Sequence, residues 1–442
     1  MVIARPVKGK HRSIKTRISY ILFSIFFIFP FIKIGGKQSL FFDIPNRKFH
    51  VFGLTIWPQE FYFLHLLLIM AGVLLFLITA LYGRLWCGYA CPQTLFTEVY
   101  NLVGRLIGGK KFGKRSETIS IKIRVNIAWF LISIFFSLFF ITYFKGLDET
   151  WLALINYDFY EKDGSFQTWI IFLAAFTFTA FGNMAWFRED MCRLVCPYGR
   201  FQTALLDSHS PIVYYDKVRG EPRRQKGEKE GKGDCTSCNM CIAVCPTGID
   251  IKDGLQVGCI ACGLCVDACT IEMQKHNKIT LNDYRTIEQI DNTNAKRHYI
   301  RPRTIVYGSF LTVLITIFSY FLIIRTNLYA FSVRDSSIYQ MLIPNYGVQN
   351  GYYINVGNKT DFSLKVKIEL DSKSNPIKIL NLEPFYEIDP GGYMKIRLIL
   401  LYESKEKSFA DKKLIPIKFS VIDINNKNNK NIFKSVFSFP GE

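Results

Sequence analysis

Two runs decide how this chain is read: "CTSCNMCIAVCPTG" at residues 235–248 and "CIACGLCVDACT" at residues 259–270. Each is C-x-x-C-x-x-C-x-x-x-C, the spacing of bacterial-type 4Fe-4S ligands. Three closely spaced thiolates wrap three corners of an iron–sulfur cubane. The fourth ligand comes from elsewhere, and where two such runs lie together the fourth cysteine of each serves the other cluster. The spacing predicts Cys235, Cys238, Cys241 and Cys269 on one cluster, and Cys259, Cys262, Cys265 and Cys245 on the other. Pro246 follows the first run, and Thr270 stands at the matching place in the second. Zinc draws its four ligands in pairs rather than as two identical quartets. Disulfides are disfavoured by the cytoplasmic placement deduced below.

The remaining four of the twelve cysteines form a second repeat. "RLWCGYACPQTLF" at 84–96 and "REDMCRLVCPYGRFQ" at 188–202 each carry C-x-x-x-C-P, as Cys87, Cys91, Pro92 and Cys192, Cys196, Pro197, with Phe96 and Phe201 downstream. On a helix, residues four apart share a face. Two such thiolates could hold a soft ion such as Cu(I), or cycle between dithiol and disulfide. All four together could hold one metal as a four-cysteine site, or a third cluster. A single pair reads more simply as two small apolar residues near a helix end. The repetition at one membrane face favours a joint redox or metal role.

Both pairs sit where very apolar stretches end. Almost half of the 442 residues are hydrophobic, 39 of them phenylalanine, and the mean hydropathy is +0.14. A spanning helix needs about 20 apolar residues, and stretches 18–34, 61–81, 125–144, 168–187 and 305–324 qualify. The first lacks a small-residue cleavage site and reads as an anchor, not a signal peptide. Formal net charge is +19, which at this hydropathy points to a membrane surface and not to nucleic acid. Lysine and arginine crowd residues 1–17, the connection after the second span, and both ends of 188–303, whereas 145–167 is acidic. The positive-inside rule then puts the N-terminus, both thiol pairs and 188–303 in the cytoplasm, and 326–442 outside.

Residues 217–234, "KVRGEPRRQKGEKEGKGD", read as a charged, flexible linker. Beyond Arg325, stretches such as "FSLKVKIEL" and "IPIKFSVID" alternate apolar and polar residues between turn signals. They predict a small β-sandwich, immunoglobulin-like in outline, without cysteine or histidine and suited to partner binding. His65 is alone within a span, so no bis-histidine haem is expected, and no dinucleotide fingerprint or phosphate loop occurs. Electrons must come from an unidentified donor.

Those residues resemble the cytochrome c oxidase accessory proteins of the FixG/CcoG (RdxA) type over nearly the whole chain. The likeness is carried by "FFDIPNRKFHVFGLTIWPQEF", "GRLWCGYACPQTLFTEV", "REDMCRLVCPYGRFQ" and "IVYYDKVRGEPR", with the β-rich C-terminal region. The resemblance implies a multi-pass protein of the bacterial inner membrane: a membrane domain over 1–216, the linker 217–234, a cytoplasmic dicluster ferredoxin-like domain over 235–303, a fifth transmembrane helix at 304–325, and a periplasmic immunoglobulin-like domain over 326–442. The fold class is thus a five-helix transmembrane bundle with an inserted domain of two 4Fe-4S clusters and a C-terminal β-sandwich. It further implies reduction of Cu(II) to Cu(I) for assembly of a cbb-type oxidase, with Cys87, Cys91, Cys192 and Cys196 handling copper. Oxidase subunits or copper-delivery proteins are then the expected partners. Two other readings fit the same residues: an electron-transfer subunit of a quinol-linked respiratory chain, and a copper-binding assembly scaffold without turnover.

Overall fold

The computed structural model describes residues 3–114, 116–161, 164–223, 233–292, 295–335, 337, 341–343, 347–360, 362–371, 377–403, 414–426 and 429–439. They fall into two compact units, Met1–Phe318 and Ser319–Glu442.

Among the described residues, five helices are long and apolar enough to cross a membrane: Lys10–Phe31, Phe61–Tyr82, Ile119–Lys145, Thr168–Phe187 and Pro302–Ile323. The first begins eight residues before the apolar stretch that announces it. Its leading turns carry charge because they face protein. Lys15 is 1% exposed and pairs with Glu98 at 2.7 Å, which Arg12 also meets at 2.9 Å. The same helix ends in a 3-10 turn at Pro30, and residues 33–34, read from sequence as apolar span, form a short strand. Thr168–Gly182 continues as a widened π turn over Asn183–Phe187.

The core of this unit is aromatic. Phe96 meets both Phe23 of the first helix and Phe136 edge to face, at 5.4 and 4.8 Å between ring centres, a geometry that ring quadrupoles favour. Polar groups within this core are paired with one another: Trp129 Nε1 donates to the Tyr100 carbonyl at 2.8 Å, and the Tyr100 and Ser133 hydroxyls lie 2.7 Å apart. Where little water reaches, an unpaired group would be costly.

The sequence reading missed a three-stranded antiparallel meander before the second long helix, Leu40–Asp43, Lys48–Val51 and Leu54–Ile56. Strand Ile212–Tyr215 pairs antiparallel with Asn282–Arg285 and so brackets both cysteine loops. The loops thus belong with the chain before the charged stretch as well as after it. Of that stretch, 224–232 lies outside the described residues. Its ends are not a loose tether, because Asp216 caps Lys217–Gly220 and Asp234 pairs with Arg219 at 3.1 Å and Lys278 at 2.6 Å.

The second unit consists of antiparallel strands in two sheets. One runs Ile377–Ile379, Tyr393–Glu403, Gly347–Asn358, Leu328–Arg334, with Met341–Ile343 also on Gly347–Asn358. The other runs Tyr386–Ile388, Leu364–Asp371, Ile415–Asp423, Lys430–Phe437. Alternate residues from both sheets, among them Tyr352, Ile354, Ile368, Phe419 and Val421, are fully buried in one core. This is the period-2 pattern expected of strands with one covered face.

One long-range contact joins the first helix to the second cysteine loop. The Asp267 carboxylate accepts from the backbone N–H of His11 at 3.1 Å and of Arg12 at 2.8 Å, satisfying donors that a helix start leaves unpaired. Gly9 is required there, since a Cβ would fall 2.3 Å from Asp267 Cγ. Asp267→Ala should lower local stability by about 0.5–2 kcal/mol, as loss of a cap does. Hydrogen exchange read by mass spectrometry should show faster amide exchange at 10–14 and none beyond residue 19; unchanged exchange at 10–14 would exclude the cap.

Candidate metal centre

The cysteine loops owe their shape to left-handed residues set between the thiols. Ser237 and Asn239 (φ 54° and 55°) occupy in the first loop the places that Ala261 and Gly263 (φ 50° and 72°) occupy in the second. Such residues reverse the local curl of the chain, so each loop wraps a centre, then enters a helix at Met240–Ala243 or Leu264–Gln274. One cavity is lined by Cys235, Cys238, Cys241 and Cys269. The other is lined by Cys245, Cys259, Cys262 and Cys265, with Cys241 in its wall. The two runs exchange their fourth thiols.

The surroundings fit a sulfur-ligated cluster in each cavity. Leu281 N–H points at Cys269 Sγ at 3.4 Å, and Thr247 Oγ1 lies 3.3 Å from Cys245 Sγ. Lys252, 4% exposed, lines the first cavity and donates to Asn239 at 2.7 Å. A buried ammonium and donors to sulfur suit an anionic iron–thiolate group and tune its potential. Burial pushes the Cys259 thiol up to about 12 and the Cys241 thiol up to about 11. The protonated form is therefore favoured until a metal displaces the proton.

The C-x-x-x-C-P pairs do not lie on one continuous helix face, as their spacing suggests. Cys87 sits in a single turn, Leu85–Tyr89, and Cys192 in a π turn, Met191–Val195. Cys91 and Cys196 are extended (φ −64°, ψ 128° and φ −63°, ψ 113°) and precede helices opened by proline, Pro92–Gly108 and Pro197–Leu205. The physical cause is proline, which drives its predecessor out of the helical region and is itself suited to the first helical position. The repeat is structural to the level of single bonds. Cys91 N–H donates to Trp86 at 2.9 Å as Cys196 N–H does to Met191 at 2.8 Å, and Cys87 to Arg84 as Cys192 to Glu189, both at 3.1 Å.

The repeat extends to how the chain leaves each membrane helix. Gly83 (φ 61°, ψ −135°) and Arg188 (φ 45°, ψ −120°) hold equivalent places. For arginine this conformation costs about 1–3 kcal/mol. Its guanidinium is anchored by Asn101, by Glu189 at 3.4 Å and over the Trp129 ring at 5.3 Å.

The pairs converge on the second loop. Arg84, 6% exposed, donates to the carbonyls of Val257 at 2.5 Å and Cys259 at 2.8 Å, and to that of Gly199 beyond the second pair. Cys87 and Cys192 pack with Ile260, Cys262 and Leu264. Burial, then the charges of Cys91, Arg84, Cys192 and Cys196, set the Cys87 thiol at about 12; burial likewise raises Cys192 to about 12. Tyr89, next to the first pair, lies 2.7 Å from His11 Nδ1. His65 turns back onto the Phe61 carbonyl at 2.8 Å. Arg84, Gly88, Asp267 and the Lys15–Glu98 pair were not singled out in sequence. The Gly83/Arg188 match, visible as a fixed offset before each cysteine pair, is the one signal that could have extended the motif.

Gly88 is a direct gauge of this convergence. A Cβ there would lie 2.7 Å from both Cys262 Cα and the Ile260 carbonyl oxygen, whereas Gly72 has open space. Overpacking of this kind costs about 1–3 kcal/mol. Gly88→Ala should change the electron paramagnetic resonance spectrum of one of the two reduced clusters, with Gly72→Ala as the unaltered control. Identical spectra for both variants would remove the contact.

Comparison with known proteins identifies the lineage. Residues 187–286 match the family described as 4Fe-4S dicluster domain, and residues 63–115 match one described as 4Fe-4S binding domain. The chain is 35% identical over 308 residues to nitrogen fixation protein FixG of Rhizobium meliloti, a match covering 64% of this chain and 58% of that protein, less than two thirds of its length. It is 34% identical over 329 residues to protein RdxA of Cereibacter sphaeroides, covering 70% of this chain and 68% of RdxA. With protein RdxB of the same organism the identity is 34% over 406 residues, covering 83% and 84%. Identity at this level across most of RdxA and RdxB shows that the chain belongs to the FixG/RdxA family of iron–sulfur proteins.

Proposed function

We propose that this protein is a membrane-bound iron–sulfur reductase that converts Cu(II) to Cu(I), supporting copper delivery to, and assembly of, a cbb-type cytochrome c oxidase. The observation that carries the reading is the packing of Cys87 and Cys192 against the buried cluster that contains Ile260, Cys262 and Leu264. It sets a copper-competent thiol group beside the loop that would hold one cluster. Cys235, Cys238, Cys241 and Cys269 hold one cluster in this reading, and Cys245, Cys259, Cys262 and Cys265 the other. When bound, each cluster supplies one-electron storage.

The protein's own residues do the rest. Cys87, Cys91, Cys192 and Cys196 bind copper as thiolates, since soft sulfur donors favour Cu(I). Two thiolates reduce two Cu(II) to two Cu(I) and become a disulfide; two electrons and two protons restore the dithiol. The thiols and 188–303 face the cytoplasm. The two-sheet region, immunoglobulin-like in this reading, faces the periplasm and docks oxidase subunits or copper-delivery proteins. Because burial raises the thiol values, capturing Cu(I) displaces protons, and apparent affinity should rise with pH between about 6 and 8.

The test is anaerobic Cu(II) reduction by purified, cluster-loaded protein, reduced beforehand with dithionite and read with an optical Cu(I) chelator. Because dithionite itself reduces Cu(II), excess reductant is removed before copper is added. The Cys87/Cys91/Cys192/Cys196→Ser variant should lose Cu(I) yield while keeping cluster absorbance. Equal Cu(I) yield in both proteins would end the copper reading.

A second reading, in which the four thiols hold a third cluster, is favoured by the match of residues 63–115, which contain Cys87 and Cys91, to a 4Fe-4S binding family. Iron analysis separates the two. About eight irons per chain fits two clusters and about twelve fits three, and the serine variant should lose about four irons only under the second reading.

A further inference from the structure

A cleft of about 150 Å³ lies between the first helix, Pro92–Gly108 and the cysteine loops. Tyr20 and Leu102 line it and are 70% and 54% exposed on helices of the membrane unit. Its lining also includes Cys192, Pro246, Thr247, Ile260 and Leu264. Four of these five residues adjoin, or lie between, thiols of the second cavity. The cleft thus runs from the exposed side chains of Tyr20 and Leu102 to the second cysteine loop.

The lining narrows what can enter. Phe23, Val99, Leu102 and Leu264 give it apolar walls. A volume near 150 Å³ accepts a single aromatic ring. The cations are engaged: Lys15 and Arg12 with Glu98, and Arg105 with the Ala4 carbonyl at 3.2 Å. Arg5 stands at the exposed rim. Two carboxylates, Glu98 and Glu189, oppose a phosphate group, and Glu189 Oε1 is buried with no hydrogen-bond partner. An acceptor oxygen with nothing to accept from invites a hydroxyl donor. A second, more open groove shares Glu189, Pro246 and Thr247 and runs past Asp190 and Arg193, which are 56% and 44% exposed.

We infer that this cleft binds the head group of a lipophilic quinol, the electron donor of the protein, beside the Glu189 carboxyl group. The inference rests on the proposal that the two cysteine loops carry clusters. In the reaction, both quinol O–H bonds break and quinone is released. The two protons leave to water along the groove past Glu189, and the two electrons pass inward, one to each cluster. Cys192 and Ile260, in the lining of the cleft, bring the donor to the loop on which the thiol pairs also converge.

The experiment uses the full chain in nanodiscs with clusters loaded anaerobically and no copper present. Decylubiquinol and menadiol, a benzoquinol and a naphthoquinol, are mixed with it, and cluster absorbance near 400 nm is followed. Binding of oxidised decylubiquinone and menadione is measured separately by quenching of intrinsic fluorescence, a readout independent of turnover. Wild type should bind at least one quinone and bleach with the matching quinol. Leu102→Trp at the mouth and Ser19→Trp on the wall should each weaken binding by about tenfold, equivalent to about 1.4 kcal/mol, and slow bleaching in step. Dithionite should bleach wild type and variants alike, which shows that the clusters are present.

No binding by wild type, or equal binding in all three proteins, overturns the inference. Quinol bleaching together with failure of the copper assay would leave the cleft standing and remove the cupric reductase reading instead. Copper reduction without quinone binding would do the reverse.

Discussion

Arg84 is buried, and its guanidinium holds three backbone carbonyls that come from two different parts of the chain. The arrangement of the metal centre depends on this. A buried charge is tolerated only when its donors are used, so the loop before Cys262 and the turn after Cys196 must both come to it. Each carbonyl released by its loss would carry a desolvation penalty of about 1–3 kcal/mol. That is enough to hold a surface loop in one place, and the close approach of Gly88 to Cys262 shows how little freedom remains.

The same logic recurs on the other side of the loop. Asp267 is drawn to the unpaired amides that start the first helix, and Lys15 to Glu98. Two charged groups, Arg84 and Asp267, therefore fasten the cysteine loops to the rest of the unit, and the Lys15–Glu98 pair ties the first helix to Pro92–Gly108 beside them, where an apolar seam would have given adhesion without register. Register matters here because electron exchange depends on which groups are neighbours. The two C-x-x-x-C-P turns are placed by the same means. Arg188 is kept in a glycine-like conformation by Asn101, Glu189 and Trp129, so the second turn copies the first without a glycine at the corresponding place.

The second unit follows a different rule. Its core is built from alternate strand residues of two sheets, with fully buried Tyr352, Ile354, Ile368 and Phe419, and no cysteine or histidine occurs in it. Stability there comes from apolar area removed from water. All twelve cysteines lie in the first unit.

The sequence by itself determined what short spacing can encode. The C-x-x-C-x-x-C runs, the two C-x-x-x-C-P pairs, the five apolar helices and the alternating strands are all local patterns, legible within about 20 residues. Misreadings came where local pattern was weak or misleading. The strands of the 40–56 meander are three or four residues long, too short for periodicity, with their turns at Arg47 and Phe52 in left-handed conformations. The first helix starts early because its charged turns face protein, not lipid. The cysteine pairs leave the helical face because proline follows them. Only the tertiary structure decided what Arg84, Asp267, Lys15 and Gly88 touch. The Asp267 contact with His11 spans 256 positions of sequence, and no spacing rule reaches so far. Such contacts are set by which buried charges can be paired when the whole unit closes.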